Sequence, residues 1–492
     1  MNIRRTWVLA AVALCFVPTC RTAKPDTDGK RVAKVLASLA PAYDVDGRPP
    51  VRWTLAERMA KFRVPGVSIA VVDDGRVVWS AARGVLEAGH DEVVTAHSVF
   101  QAASISKVVA ATATLRLADE GKLDLDTDVN HYLRSWKVPE NEYTTREKVT
   151  LRRLLSHTAG TSVHGFFGYA ADEPKPALLD VLDGRPPAKN KPIRVTAVPG
   201  SSTRYSGGGV VVEQLVLTDV TGEPFPLLAR DLVFAPLRMD DSTFEQPVPD
   251  AVRARAARGH DEEGKELPGG WHSGPEMAAG WMWTTATDLM RWAIAVADAR
   301  DGKVQSILSQ KTAKAMLTRQ GESYGLGPLL DGSGRAFTFS HGGNNPGYTT
   351  QVTYFPETRQ GLAILTNKAG ADLLIDEITR AIAREYRWPA QQPARLTPIA
   401  LSTSEQSRIA GDYALSTEGS TDAGPATIHA ESDRLYLDFG PVTHDEIVAA
   451  SPSRLVSPEW GYTVDLQRND RGEVVSFTLK YGDNTMFGRR KG

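Results

Sequence analysis

Cysteine is almost missing from this chain: of 492 residues only Cys15 and Cys20 carry a thiol, and both lie near the N-terminus. Nothing after them can close a disulfide or offer a thiolate to a metal, so the folded body is expected to hold together without either. A surplus of one charge is missing too. Lys plus Arg number 57 against 59 for Asp plus Glu, a formal charge of −2, which gives no electrostatic pull toward nucleic acid or anionic lipid. Long apolar runs are confined to the first twenty residues, so no later segment reads as a membrane span. Several catalytic signatures are also absent. The nearest approach to Gly-x-Ser-x-Gly is Gly66-x-Ser68-x-Ala70 inside a predicted strand, which disfavours a nucleophile-elbow hydrolase. No Gly-x-Gly-x-x-Gly, Gly-Lys-Ser/Thr or His-Glu-x-x-His occurs, which removes the common dinucleotide, P-loop and zinc-protease signals. No cofactor and no metal ligand is expected, and no internal repeat or low-complexity tract is seen.

What is present is an ordinary globular composition, 41% apolar and 24% charged, over a length that calls for two or three domains of ~100–200 residues. Residues 1–20 have the anatomy of an export signal: Arg4 and Arg5, the apolar segment Trp7 to Val17, then Val17-Pro18-Thr19-Cys20. Its end is similar to a bacterial lipoprotein signal, with Cys20 as the lipid acceptor and anchor. Lipidation there and removal of a plain signal peptide both stay open. Either route takes the protein out of a bacterial cytoplasm, to the periplasm, to a membrane surface as a lipoprotein, or to the medium.

Val67 to Val72 and Val77 to Ala81 flank Asp73-Asp74-Gly75-Arg76, two strands joined by a tight hairpin. Helical patterning follows from Lys107 to Glu120, closing at Gly121. Strands return at Thr349 to Phe355 and Gly361 to Thr366, then a helix at Leu373 to Tyr386. Strands at both ends with helices between them predict an α/β fold, one sheet flanked by helices with a largely helical insertion. The expected division is a signal at 1–20, an α/β domain at 21–387, a proline-rich linker at 388–403 and a small all-β domain, barrel or sandwich, at 404–492. The aromatic strands of the last domain are read as its core rather than as a lipid pocket.

Three clusters could carry chemistry. Ser104-Ile105-Ser106-Lys107, the sole Ser-x-x-Lys in the sequence, opens an apolar helix, so amine and hydroxyl share one face. The helix start offers free backbone donors, and an apolar setting would disfavour the charged amine and make it a base near neutral pH. On the tetrapeptide alone, a helix-capping serine with a solvated lysine is the favoured reading. Pro199 to Gly209 is glycine-rich and can hold Tyr205 on a rigid loop as a proton shuttle, or simply pack a tyrosine. Phe339-Ser340-His341-Gly342-Gly343-Asn344 precedes a strand. Its glycines would let backbone approach a substrate, though the stretch also reads as a surface turn.

In this order and context the clusters resemble the serine β-lactamase and penicillin-binding-protein superfamily, in its class C-like branch of β-lactamases, D-peptidases and esterases. Leu154 to Gly160 and Ala279 to Leu289 look like further motifs of that branch, and coverage runs from about Val64 to Tyr386. The resemblance implies Ser104 as acylated nucleophile, Lys107 as its activating partner, Tyr205 as proton shuttle and His341 in the place of a lysine or histidine. It implies an oxyanion hole of the Ser104 and Asn344 amides beside Gly343, with Gly207 at the position of the family's asparagine. Two departures follow: Gly207 supplies no side-chain amide, and His341, mostly neutral at pH 7, supplies no permanent cation for an antibiotic's carboxylate. Hydrolysis of a small ester, amide or peptide is therefore expected ahead of true β-lactamase or DD-carboxypeptidase activity, with a non-catalytic receptor or scaffold as the other alternative. His157 and Asp288 are expected to be structural. The oligomeric state is left open.

Overall fold

Residues 66–73 read Gly-Val-Ser-Ile-Ala-Val-Val-Asp, with scarcely a polar face, and such a strand needs cover on both sides. The computed structural model, which describes residues 27–303, 307–418, 420, 422–440, 442–482 and 484–491, supplies it. The expected signal segment and Cys20 lie outside the described residues. A six-stranded antiparallel sheet is built from β1 (Gly66–Asp73), β2 (Arg76–Gly84), β3 (Leu329–Asp331), β4 (Thr338–Asn345), β5 (Tyr348–Phe355) and β6 (Gln360–Thr366) in the order β2-β1-β6-β5-β4-β3. The hairpin between β1 and β2 turns on Asp74 and Gly75, both at positive φ, the backbone that a two-residue hairpin requires. β1 pairs with β6 from Val67↔Thr366 to Val72↔Gly361, which joins the two chain ends into one sheet. The long insertion between β2 and β3 carries most of the helices.

Alternation along β1 divides the core. Val67, Ile69 and Val71 pack with Leu362 and Ile364 against α4 (Asp372–Glu385) and the N-terminal Val35 and Leu39. Ala70 and Val72 face the larger core, with α1 (Ser106–Asp119), α2 (Gly207–Thr221) and α3 (Ala286–Arg300). From Ser106 to Leu115 every residue of α1 is buried, so this helix threads the interior, as one apolar all round must.

Two readings of local structure are refined. His341 to Asn345 belong to β4 as a strand edge, and the alternative of a surface turn falls, because pairing with β5 continues through Asn345↔Tyr348. The glycine run after Tyr205 is the first turn of α2, capped by Ser206, whose hydroxyl accepts from Gly209 N at 3.0 Å. Its glycines answer a close approach: a Cβ on Gly208 would lie 2.4 Å from the Ser162 carbonyl.

Beyond α4, Ala394–Leu396 pairs in parallel with Tyr43–Val45. Pro393 and Pro398 flank this short strand without interrupting its ladder. The C-terminal strands β7 (Gly411–Thr417), β8 (Pro425–Glu431), β9 (Arg434–Phe439), β10 (Val442–Ser451), β11 (Arg454–Val456), β12 (Thr463–Arg468), β13 (Val474–Tyr481) and β14 (Asn484–Arg490) form a closed barrel. β7 pairs with β14 to seal it, which leaves no open edge. Tyr413, Leu415, Ile428, Leu437, Val464, Phe477 and Leu479 fill its interior.

Candidate active site

The site is assembled where the insertion meets the sheet. Phe100–Gln101 pairs with Trp283–Thr284, after which Ala103 takes a left-handed backbone, φ +49°. That conformation is costly for a residue with a Cβ and persists only when its surroundings enforce it. A 3-10 turn over Ala103–Ile105 follows and runs into α1. Ser104 therefore precedes the α-helix by one tight turn instead of sitting within its first turn, and its side chain is free of any capping bond.

Lys107 lies 4% exposed. Its Nζ donates to Ser104 Oγ at 3.0 Å and to the Ala279 carbonyl, neither of them a charged partner. Burial lowers its pKa to about 7, opposed only by the charge of Glu213. Glu213, on α2, accepts from Thr114 Oγ1 at 2.6 Å, and burial pushes its carboxyl up to about 8. Loss of water drives both groups toward their neutral forms.

Tyr205 completes the cluster. The Lys107 amine stands 5.1 Å from its ring centroid. Burial raises the phenol to about 12 against the opposing effect of a hydrogen bond with Ser104. The ring is walled by His157 at 4.4 Å, His164 at 4.9 Å and Tyr324 at 6.1 Å, centroid to centroid. His157 Nδ1 accepts from Ser206 N at 3.3 Å, fixing the residue next to the phenol. Burial, helped by the Lys107 charge, drives the His157 pKa well down. Asp288 accepts from Ser242 Oγ and Asp241 N near the start of α3, away from the cluster.

His341, on β4, faces Tyr205 at 6.1 Å. Burial first, then the Lys107 charge, lowers its pKa to about 4, so the imidazole is neutral at pH 7. Nδ1 lies 2.6 Å from the Gly342 carbonyl and must donate to it, which leaves Nε2 as an acceptor, buried and without a partner. Ser104, Lys107, Tyr205, His341 and Asn344 thus line one cleft of about 930 Å³, together with His164, Phe166, Phe167, Tyr324 and Trp281.

Two expected residues stand behind this wall. A Cβ on Gly343 would meet Thr350 Oγ1 at 2.3 Å and the Ala102 carbonyl at 2.4 Å; the glycine lets β4 press against the Ser104 turn. Gly207 packs on the loop before it, donating to the His164 carbonyl at 2.8 Å, and a Cβ there would sit 3.2 Å from the Phe166 ring. A side chain at this position requires its neighbours to give by a few tenths of an ångström, and in its absence the Ala279 carbonyl takes the second bond of Lys107. Sequence reasoning missed Glu213, whose signal is a lone charge inside Val210-Val211-Val212-Glu213-Gln214-Leu215. It also missed His164 and Tyr324, which carry no local signal.

An antiparallel sheet with helices on both faces, bearing Ser, Lys and Tyr in one cleft at its β4 side, is a recognised class of architecture. Residues 51–385 match the family model Beta-lactamase, and the chain belongs to the beta-lactamase family. Penicillin-binding protein 4 of Amycolatopsis lactamdurans is 30% identical over 368 residues, covering 71% of this chain and 93% of the relative. Esterase EstB of Burkholderia gladioli is 27% identical over 221 residues, 42% of this chain and 55% of the esterase. Among solved structures, the octameric penicillin-binding protein homologue from Pyrococcus abyssi superposes with a TM-score of 0.60 at 20% identity, over 88% of this chain and 98% of that one.

Proposed function

We propose that the protein is an exported serine hydrolase that cleaves a small ester or amide through an acyl-enzyme at Ser104. The observation that carries this reading is the buried Lys107 amine, with a pKa of about 7, 3.0 Å from the Ser104 hydroxyl. In the neutral form it takes the hydroxyl proton as Oγ attacks the carbonyl carbon, and the C–O bond to Ser104 forms. The amides of Ser104 and Asn344 hold the oxyanion. The proton passes through Tyr205 to the leaving alkoxide or amine, and water then attacks the acyl group by the same path in reverse.

The substrate class follows from His341. A neutral imidazole with an unpartnered Nε2 acceptor suits a substrate that donates a hydrogen bond there and gives little hold on a carboxylate. Uncharged esters and amides, including D-amino-acid amides, therefore rank above β-lactam antibiotics.

Incubation with a fluorophosphonate and with fluorescent penicillin, read by intact mass, tests the nucleophile. The expected result is an adduct on the wild type and none on Ser104→Ala, with turnover of p-nitrophenyl esters or D-amino-acid amides. No adduct and no turnover across that panel favours a non-catalytic receptor. Rapid nitrocefin hydrolysis overturns the ranking against β-lactams.

A further inference from the structure

The outer wall of the barrel, remote from the cleft, gathers two imidazoles and a carboxylate. His429 and Glu431 are two apart on β8 and so point to the same side. Tyr436 on β9 stands directly opposite His429. His444 arrives by an irregularity: the β9–β10 register shifts between Leu437↔Asp445 and Phe439↔Val442, and the extra residue adopts φ +54°. A left-handed histidine in a bulge is strained, and such bulges re-aim a side chain. Here it lays the His444 ring on Tyr436 at 4.1 Å and 12°, 5.7 Å from the ring of His429.

The polar atoms then converge. His429 Nδ1 lies 3.2 Å from Asp438 Oδ2, and the other Asp438 oxygen accepts from the His444 backbone N–H. With Nδ1–H given to the carboxylate, His429 Nε2 keeps its lone pair, the carboxylate–histidine arrangement that orients metal ligands. That Nε2 is 3.3 Å from Glu431 Oε1, and His444 Nε2 is 3.8 Å from Glu431 Oε2. One ligand atom from each of the three lies within 4.8 Å of the others. A tetrahedral ion with bonds of about 2.0–2.1 Å sets its ligand atoms about 3.3–3.4 Å apart, so the observed spacings need only small side-chain adjustments.

We propose that His429, Glu431 and His444 form a binding site for a divalent transition-metal ion of the Zn2+ type, with Asp438 as a positioning residue. Two imidazoles and one carboxylate suit such an ion and not Mg2+ or Ca2+, which take all-oxygen shells. Three protein ligands leave a fourth position open to water, since Glu431 and His444 face solvent. The ion bridges β8 to the bulge of β10 across Tyr436, clamping three strands. The proposal departs from the expectation of no metal ligand, since the barrel's register and its bulge, and no sequence motif of known ligand spacing, bring the three residues together.

The full chain, stripped with a chelator, is titrated with Zn2+ against a chromophoric competitor and with Co2+ followed in the visible spectrum. One equivalent of tight Zn2+ binding and a tetrahedral-type Co2+ band are expected. His429→Ala and His444→Ala should each abolish the band and weaken Zn2+ by ~100-fold or more. Asp438→Asn should keep the stoichiometry and weaken binding about 10-fold. Glu431→Gln, which preserves shape, covers the case in which a histidine variant misfolds. His341→Ala and His164→Ala, which alter the cleft, should leave binding unchanged. Binding insensitive to His429, Glu431 and His444, binding lost with the cleft histidines, or none with Zn2+ in excess overturns the proposal.

Discussion

A buried amine resists charge in proportion to the water it has lost, and Lys107 has lost nearly all of it. Its pKa of about 7 in the fold lies below the ordinary value near 10.4. Between these values the unfolded chain binds the extra proton, so the Lys107 contribution to stability rises with pH and is least favourable below about 7. Lys107→Met should therefore lose ~10³-fold or more in kcat/KM while gaining about 1–2 kcal/mol in stability; a lowered Tm would falsify the assignment of a strained, functional amine. For the wild type, kcat/KM should climb with pH through an apparent pKa near 7, since only the neutral amine accepts the hydroxyl proton. His341, at about 4, adds no limb in that range. Glu213 raises Lys107 only when its carboxyl is ionised, and burial holds that carboxyl at about 8, so Glu213→Gln should move the limb only slightly, and to lower pH, which a pH series on an ester substrate will read. A large shift, or one to higher pH, would contradict a Glu213 that is mostly protonated beside the amine.

Elements hold these residues where the chemistry needs them, and β4 does so by contact with the Ser104 turn. Gly343 is the contact point, where any Cβ collides with the Thr350 hydroxyl and the Ala102 carbonyl. Gly342, one residue earlier, meets Gln351 Oε1 at 3.2 Å, the end of a flexible side chain, and the Thr350 carbonyl at an ordinary 3.9 Å. Gly343→Ala should thus cost about 1–3 kcal/mol through overpacking and depress kcat strongly, whereas Gly342→Ala should keep a Tm close to wild type. Equal effects of both in melting and kinetic assays would remove the close-approach explanation. The same strand marks the limit of what the sequence discloses. Periodicity gave away β1, β2 and the helix after Ser104, because apolar side chains there repeat at the period of the element that buries them. His341-Gly-Gly-Asn-Asn reads either as a strand edge or as a surface turn, and only pairing with β5 decides for the strand. Ser104, Lys107 and Tyr205 stand in local clusters that the sequence singles out, but only the resemblance of the clusters taken together gives them roles. Glu213, His164 and the Ala279 carbonyl reach the site from separate segments, so no local pattern could announce them.

At the scale of the whole molecule the barrel and the α/β body have separate cores, and the residues lining the cleft run only from Ser104 to Asp372. The barrel is docked on a different face. Arg58, 3% exposed, donates to Glu377 on α4 and to Glu459 of the barrel, with its guanidinium 4.0 Å from the Trp53 ring centroid. Around it, Tyr43 N and Ala42 N donate to the Pro458 and Glu459 carbonyls, and Arg48 pairs with Glu446 at 2.8 Å. Burial pushes the Glu377 carboxyl up to about 7 even beside Arg58, so this carboxylate depends on its cation. Arg58→Met fills similar volume but takes away the cation that donates to Glu377 and one of the two that hold Glu459, Lys61 being the other, a loss of about 3–5 kcal/mol for a broken buried pair. The Glu377 part of that loss falls within the body and the Glu459 part on the docking, while the barrel, closed on itself around its own packed core, is spared. Calorimetry should then resolve two transitions in place of one, and limited proteolysis within 388–403 should accelerate. Ester hydrolysis should persist, since no cleft residue is touched. A single transition lowered as a unit, with activity falling in parallel, would mean that barrel and body fold as one cooperative whole.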